Sequence, residues 1–224
     1  MFLTVFDEFY GFLSILAVFD IFASKYPKIG GVFLEGEKLV LGLSVGSQIA
    51  VFLIEVIFSL YIGAVVIRLL LGFARASFNN PLSQFLVKVT NPVLVPMRRF
   101  IPSIGSIDTS SVVLAFVLTL IKVSLLLLVT TGGIHFPGTL ILALGELVKT
   151  IIWVYIFALI LQAIISWVGN TQGNPIIPLI NSLTAPILRP IRKVVPLIGM
   201  MDLSPMVAII ALNILLIVVN NIFH

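Results

Sequence analysis

The sequence predicts an all-α integral membrane protein built from two tandem repeats in the same orientation. Of its 224 residues, 60% are hydrophobic and 10% charged, and the mean hydropathy is +1.24, whereas charged residues make up about a quarter of a soluble domain. Four windows, residues 48–73, 111–130, 147–168 and 205–223, reach the roughly 20 apolar residues that cross about 30 Å of hydrocarbon. A shift of 94 residues, as from Pro92 to Pro186, lays the second half of the chain on the first.

Residues 1–46 form an N-terminal extension. Its apolar run at residues 9–23 is short for a span, carries Asp20, and lacks the basic start and small-residue cleavage site of a signal peptide. That pattern favours a helix at the membrane interface; the alternative is a native start near Val45. The first repeat, residues 47–131, holds the first two windows, and the second, residues 141–223, holds the other two. Gly132, Gly133, Pro137 and Gly138 mark a turn between them, on the side opposite the two long loops.

Each long loop has its own pattern. In residues 81–90, Leu82, Phe85, Leu86 and Val89 recur at helical spacing with Ser83, Gln84 and Lys88 elsewhere, which predicts a short amphipathic helix suited to the membrane interface. Pro92, Pro96 and Pro102 then lack an N–H, which predicts a bent, extended path over residues 91–103 at headgroup level. Under the 94-residue shift Pro92, Pro96, Arg98, Pro102, Gly105, Asp108 and Ser110 fall on Pro186, Pro190, Arg192, Pro196, Gly199, Asp202 and Ser204. Because each unit crosses twice, the copies have the same orientation.

Arg75, Lys88, Arg98 and Arg99 lie in the first loop and Arg189, Arg192 and Lys193 in the second, so the excess of basic residues places both loops in the cytoplasm and both termini outside. Lys25, Lys28 and Lys38 lie outside in this layout. The net charge of +4 sits beside spans and not in an aromatic-interleaved patch, which excludes nucleic acid as a partner. Zero cysteines exclude thiolate sites and disulfides, and two histidines, His135 and His224, are too few for an imidazole metal centre. No catalytic motif is present, so neither an enzyme nor a cofactor is expected.

The motif P-x-L-x-P-x-R-[RK]-x-[IV]-P-x-I-G-x-x-D-x-S, present twice between apolar spans, resembles the YggT family of small bacterial membrane proteins and its YlmG-type plastid relatives. The resemblance covers roughly residues 48–222 and implies a multi-pass protein of the bacterial inner membrane without a settled biochemical activity. It also implies links to osmotic-shock or potassium tolerance, to cell division, and to cytochrome assembly and nucleoid distribution in plastids.

Two kinds of candidate site follow. Arg98, Arg99, Arg192 and Lys193 are topology-fixing cations or, acting together, a site for anionic headgroups or a membrane-protein partner, each contributing about 1 kcal/mol near a charged surface. Pro96, Pro102, Gly105, Asp108, Ser110 and their counterparts Pro190, Pro196, Gly199, Asp202 and Ser204 shape the turns and cap the following spans, with Ser204 as N-cap ahead of Pro205 and each aspartate in reach of a loop arginine. Inside the spans lie Glu55, Arg68, Lys122 and Lys149. Arg68 is expected to snorkel and Glu55 to pair with Lys122 or Lys149. The first functional expectation is a non-enzymatic scaffold, assembly or stress-tolerance factor working through the basic loops. The alternative is an ion or small-solute transport element, which four spans make feasible only as a homo-oligomer.

Overall fold

The computed structural model describes residues 44–223 apart from 77, 79, 104–107, 169–175 and 196–201. Within them the chain forms six helices and no strand: α1 (Val45–Phe73), α2 (Pro81–Met97), α3 (Thr109–Thr131), α4 (Phe136–Val168), α5 (Ile176–Ile191) and α6 (Ser204–Ile222). Four of these, α1, α3, α4 and α6, are long and apolar enough to cross a membrane, and they fall on the four expected windows. The expected helix at residues 9–23 lies outside the described residues, as do Gly105, Pro196 and Gly199.

The chain divides into two compact units, residues 1–50 with His224 and residues 51–223. The described part of the first is the start of α1, where Ser44 Oγ accepts the Ser47 N–H at 3.2 Å and so caps the helix. In the second unit α4 is central, packed on α3, α5 and α6, while α2 rests on α3 and α5 also touches α6. Lipid is as apolar as leucine, so close packing and not water exclusion holds such helices together. Small buried residues allow it: Ser111, Ala115, Ala143, Ala158 and Ala208. At Gly145 a Cβ would come within 2.5 Å of Phe223 Cβ, so only glycine admits the end of α6 there. Phe52, Ile57 and Leu60 on α1 and Ile210, Ile214 and Ile217 on α6 are exposed, as residues facing lipid are.

α1 has 29 residues and α4 has 33; at about 1.5 Å per residue they measure roughly 43 and 50 Å, so their ends emerge into the headgroup layer. The turn between α3 and α4 is shorter than the glycine and proline cluster suggests. α4 starts at Phe136 and takes in Pro137 and Gly138, because a proline in the first turn has no N–H partner to lose. Gly132 closes α3 at φ 72°, where glycine is unstrained.

The extended path expected for residues 91–103 is wrong over residues 91–101, the last four of which form a hydrogen-bonded turn. α2 runs through Pro92 and Pro96 to Met97, and α5 runs through Pro186 and Pro190 to Ile191. The prolines leave the carbonyls of Lys88, Pro92, Ser182 and Pro186 without their helical donors. Lys88 and all four prolines are exposed and stand on one stripe of each helix, which leaves that stripe open to water or headgroups that can satisfy the carbonyls. The buried stripe of α2 is Ser83, Leu86, Thr90 and Leu94. Of the expected apolar face, Leu82 and Phe85 are exposed, as residues of an interfacial helix that meet lipid are, while Leu86 turns into the protein.

Candidate functional site

At the end of α2 the backbone tightens into a turn, with the N–H groups of Arg98, Arg99, Phe100 and Ile101 donating to Leu94, Pro96, Met97 and Met97 carbonyls. In the second repeat Arg192, Lys193, Val194 and Val195 donate to Leu188, Pro190, Ile191 and Ile191 in the same pattern. Each turn is then clamped to the following span. Arg98 pairs with Asp108 Oδ2, which also accepts from Ser111 Oγ at 2.7 Å. Arg192 donates through Nε at 2.9 Å and Nη2 at 2.8 Å to Asp202 Oδ2, while Asp202 Oδ1 accepts the Ser204 N–H at 2.9 Å.

These contacts fix the charge state of both aspartates. Burial pushes the Asp108 carboxyl up, but hydrogen bonds from Arg98 and Ser111 outweigh it and hold the group below the usual carboxylate range. Burial opposes ionisation of Asp202 as well, and bonds from Ser204 and Arg192 again win. The serines differ from expectation. α6 begins at Ser204 itself, with Leu203 as N-cap, so Asp202 and not Ser204 supplies the capping oxygen. Ser110 Oγ donates to the Ile101 carbonyl at 2.8 Å and staples the turn to α3.

The clamps divide the four basic candidates. Arg98 and Arg192 are bound by aspartate, while Arg99 and Lys193 are exposed with no ion pair among the described residues. Each is followed by a prominent apolar side chain, Phe100 at 85% exposure and Val194 at 82%.

Two polar groups lie deeper. Arg68 is buried and does not snorkel: its guanidinium donates to Thr90 Oγ1 and to the Val87 carbonyl at 3.4 Å, tying α1 to α2. Thr90 Oγ1 donates in turn to the Leu86 carbonyl at 2.6 Å. Nearer the opposite face, Lys122 Nζ on α3 lies 3.0 Å from Glu146 Oε1, 3.2 Å from Ser59 Oγ and 3.3 Å from Glu55 Oε2. Three acceptors meet the three donors of the ammonium. Of the two partners expected for Glu55, Lys122 makes the contact; Lys149 is half-buried one helical turn beyond Glu146 on α4.

The CCB3/YggT family model matches the chain twice, over residues 47–129 and 141–223. The chain belongs to this family. A Vibrio alginolyticus relative, "Uncharacterized protein in proC 3'region", is 43% identical over 164 residues, covering 72% of this chain and 88% of that protein. Escherichia coli strain K12 "Uncharacterized protein YggT" is 38% identical over 164 residues, covering 73% and 85%. The Porphyra purpurea "Uncharacterized protein ycf19" is 34% identical over 88 residues, 38% of this chain and 90% of its own length, about one YggT repeat. No solved structure matches.

In YggT terms the elbow residues belong to both repeats, whereas the buried charges do not. The 94-residue shift sets Arg68 against Gln162, Lys122 against Leu216 and Glu146 against Phe52. Glu146 escapes the sequence analysis because it stands one residue before the apolar window that begins at Leu147. The apolar run from Leu140 to Leu144 ahead of it was the available signal.

Proposed function

We propose that this YggT-family membrane protein is a non-enzymatic scaffold or assembly factor that acts in stress tolerance, engaging headgroups and membrane-protein partners through its two elbows. One observation carries the reading. Matched arginine–aspartate clamps tie each turn to the span that follows it, and each turn presents an exposed cation and a neighbouring exposed apolar side chain, Arg99 with Phe100 and Lys193 with Val194. An apolar anchor rimmed by charge is the composition of a protein contact in a membrane-face setting. Clamping first removes the ordering cost that a free loop would meet on binding.

The elbows would face the cytoplasm of a bacterial inner membrane, as the basic bias predicts. The test places a photo-crosslinking residue at Phe100 or at Val194 in intact cells. The reading expects discrete adducts with the same one or few membrane proteins from both positions, lost in R99E/K193E. Adducts unchanged by that charge reversal would overturn it, and labelling of Arg99→Cys from the outer side of intact cells would overturn the orientation.

A second reading, an ion or small-solute transport element working as an oligomer, is favoured by the convergence of Glu55, Lys122 and Glu146 from three helices. Intramembrane ionisable clusters commonly mark ion pathways. Flux through proteoliposomes that disappears in Glu55→Gln while the melting temperature is kept would support it, and flux equal to empty vesicles would end it.

A further inference from the structure

The cavity between the end of α1 and the outer stripe of α5 encloses about 320 Å³ and is lined by Phe73, Arg75, Ser182, Pro186 and Arg189 among others, none of them acidic. We propose that it binds the phosphate of an anionic phospholipid, with Arg75 and Arg189 holding the phosphate oxygens.

The backbone supplies the first argument. α1 ends in a Schellman motif: the Ala76 N–H reaches the Leu71 carbonyl at 2.9 Å and the Arg75 N–H reaches Gly72 at 3.1 Å. This motif puts its penultimate residue in the left-handed region, where glycine is the usual occupant. Here the residue is Arg75, at φ 52°, a conformation that side-chain-bearing residues adopt at a cost. The 94-residue shift sets Gly169 against it, so the second repeat has the residue that the geometry prefers. Strain of this kind concentrates where a side chain is needed for a ligand.

Charge and setting supply the second. Neither Arg75 nor Arg189 has a carboxylate partner among the described residues, unlike Arg98 and Arg192. Arg189 lies in the last turn of α5 and Arg75 just past the end of α1, so each helix dipole favours its own cation, but neither dipole asks for the two to share one cavity. Two guanidinium groups on one cavity repel until an anion joins them, and phosphate matches the planar fork of each. α1 is long enough to deliver Arg75 to the headgroup layer. Phe73, half exposed, and Pro186 offer apolar surface beside the cations, which fits a phosphate attached to acyl chains better than a free one.

This site uses other residues than the elbows and rests on the scaffold reading only in placing α5 at headgroup depth. The test titrates the purified full chain in detergent with phosphatidylglycerol, with phosphatidylcholine of the same acyl chains, and with inorganic phosphate, counting bound ligand by native mass spectrometry. Wild type should retain phosphatidylglycerol about tenfold more tightly than phosphatidylcholine, and R75G/R189Q should lose that preference. Arg75→Gly alone relieves the backbone, so it should keep or raise the melting temperature while weakening phosphatidylglycerol retention, which separates lost binding from lost folding. R75K/R189K should retain part of the preference. Equal retention of phosphatidylglycerol by wild type and R75G/R189Q would overturn the proposal. So would a site saturated by inorganic phosphate that ignores phosphatidylglycerol. Adducts from Phe100 that persist in R75G/R189Q would leave the elbow reading standing whichever way the lipid test falls.

Discussion

In the first repeat Arg68, deep in α1, holds the interfacial helix α2 through Thr90. At the matching place in the second repeat Gln162 is buried with its amide oxygen unpaired among the described residues, and the Thr184 hydroxyl donates to the Ile180 carbonyl of its own helix. The elbows beyond these points are alike to the individual backbone hydrogen bond. The two halves therefore share what faces the membrane surface and differ in what lies within it. The duplicated part is built from short-range contacts, a turn plus an ion pair ten residues apart, which each copy can make alone. The buried charges cross helices, so one chain needs them in one place.

The largest expected effect breaks that asymmetry at its centre. Lys122→Met leaves Glu55 and Glu146 facing each other without their cation, and losing one partner of a buried pair costs about 3–5 kcal/mol. Unfolding in a denaturant series should show this loss, and adding Glu55→Gln and Glu146→Gln should restore most of it. Failure of that triple variant to recover would mean that Lys122 acts by packing and not by charge.

Next in size is Arg68→Leu, which removes the charge-assisted hydrogen bond to Thr90, worth about 1.5–3 kcal/mol, and a weaker 3.4 Å contact to the Val87 carbonyl. Its sharper form is Arg68→Gln, which gives the first repeat the interior of the second. Amide exchange in α2 should then rise toward the rate in α5; unchanged exchange would mean that Arg68 does not secure α2. Gly145→Val probes the opposite repeat. A side chain there must displace Phe223, so overpacking should cost about 1–3 kcal/mol, read as a lowered melting temperature with α2 exchange unaffected.

Much of this was legible in the sequence because membrane spans and repeats are written in coarse variables. Twenty apolar residues have one inexpensive conformation in lipid, and the 94-residue match needs no geometry at all. What was not legible depended on which side of a helix meets its neighbour. Pro92 and Pro96 read as breakers until their common exposed stripe with Lys88 is seen. Ser83 read as a residue off the apolar face of an amphipathic helix, yet it is buried against the protein while Leu82 and Phe85 are exposed. Arg68 read as a snorkelling cation because its partner, Thr90, approaches only once α2 folds back on α1.

The smallest effect tests the shared half, through pH. Asp108 and Asp202 both titrate below the ordinary carboxylate value of 3.8 in the folded protein. A depressed folded value means that the clamps stabilise fully above the unfolded carboxylate range, and that this contribution is lost as pH falls through the folded value. Arg98 and Arg192 are nearly half exposed, so screening limits each clamp to no more than about 1 kcal/mol. Acidification from pH 6 down through the folded carboxylate values should therefore loosen both elbows together, read as smaller amide protection factors, the intrinsic rate at each pH divided by the observed one, at residues 98–101 and 192–195, without unfolding the spans. The asparagine variants separate the two. Asp202→Asn keeps an oxygen for the Ser204 N–H and so keeps the helix cap while losing the ion pair, whereas Asp202→Ala loses both and should cost more. If Asn and Ala at residue 202 behave alike, the ion pair is the whole of the clamp, and the second elbow is held as the first is, by charge.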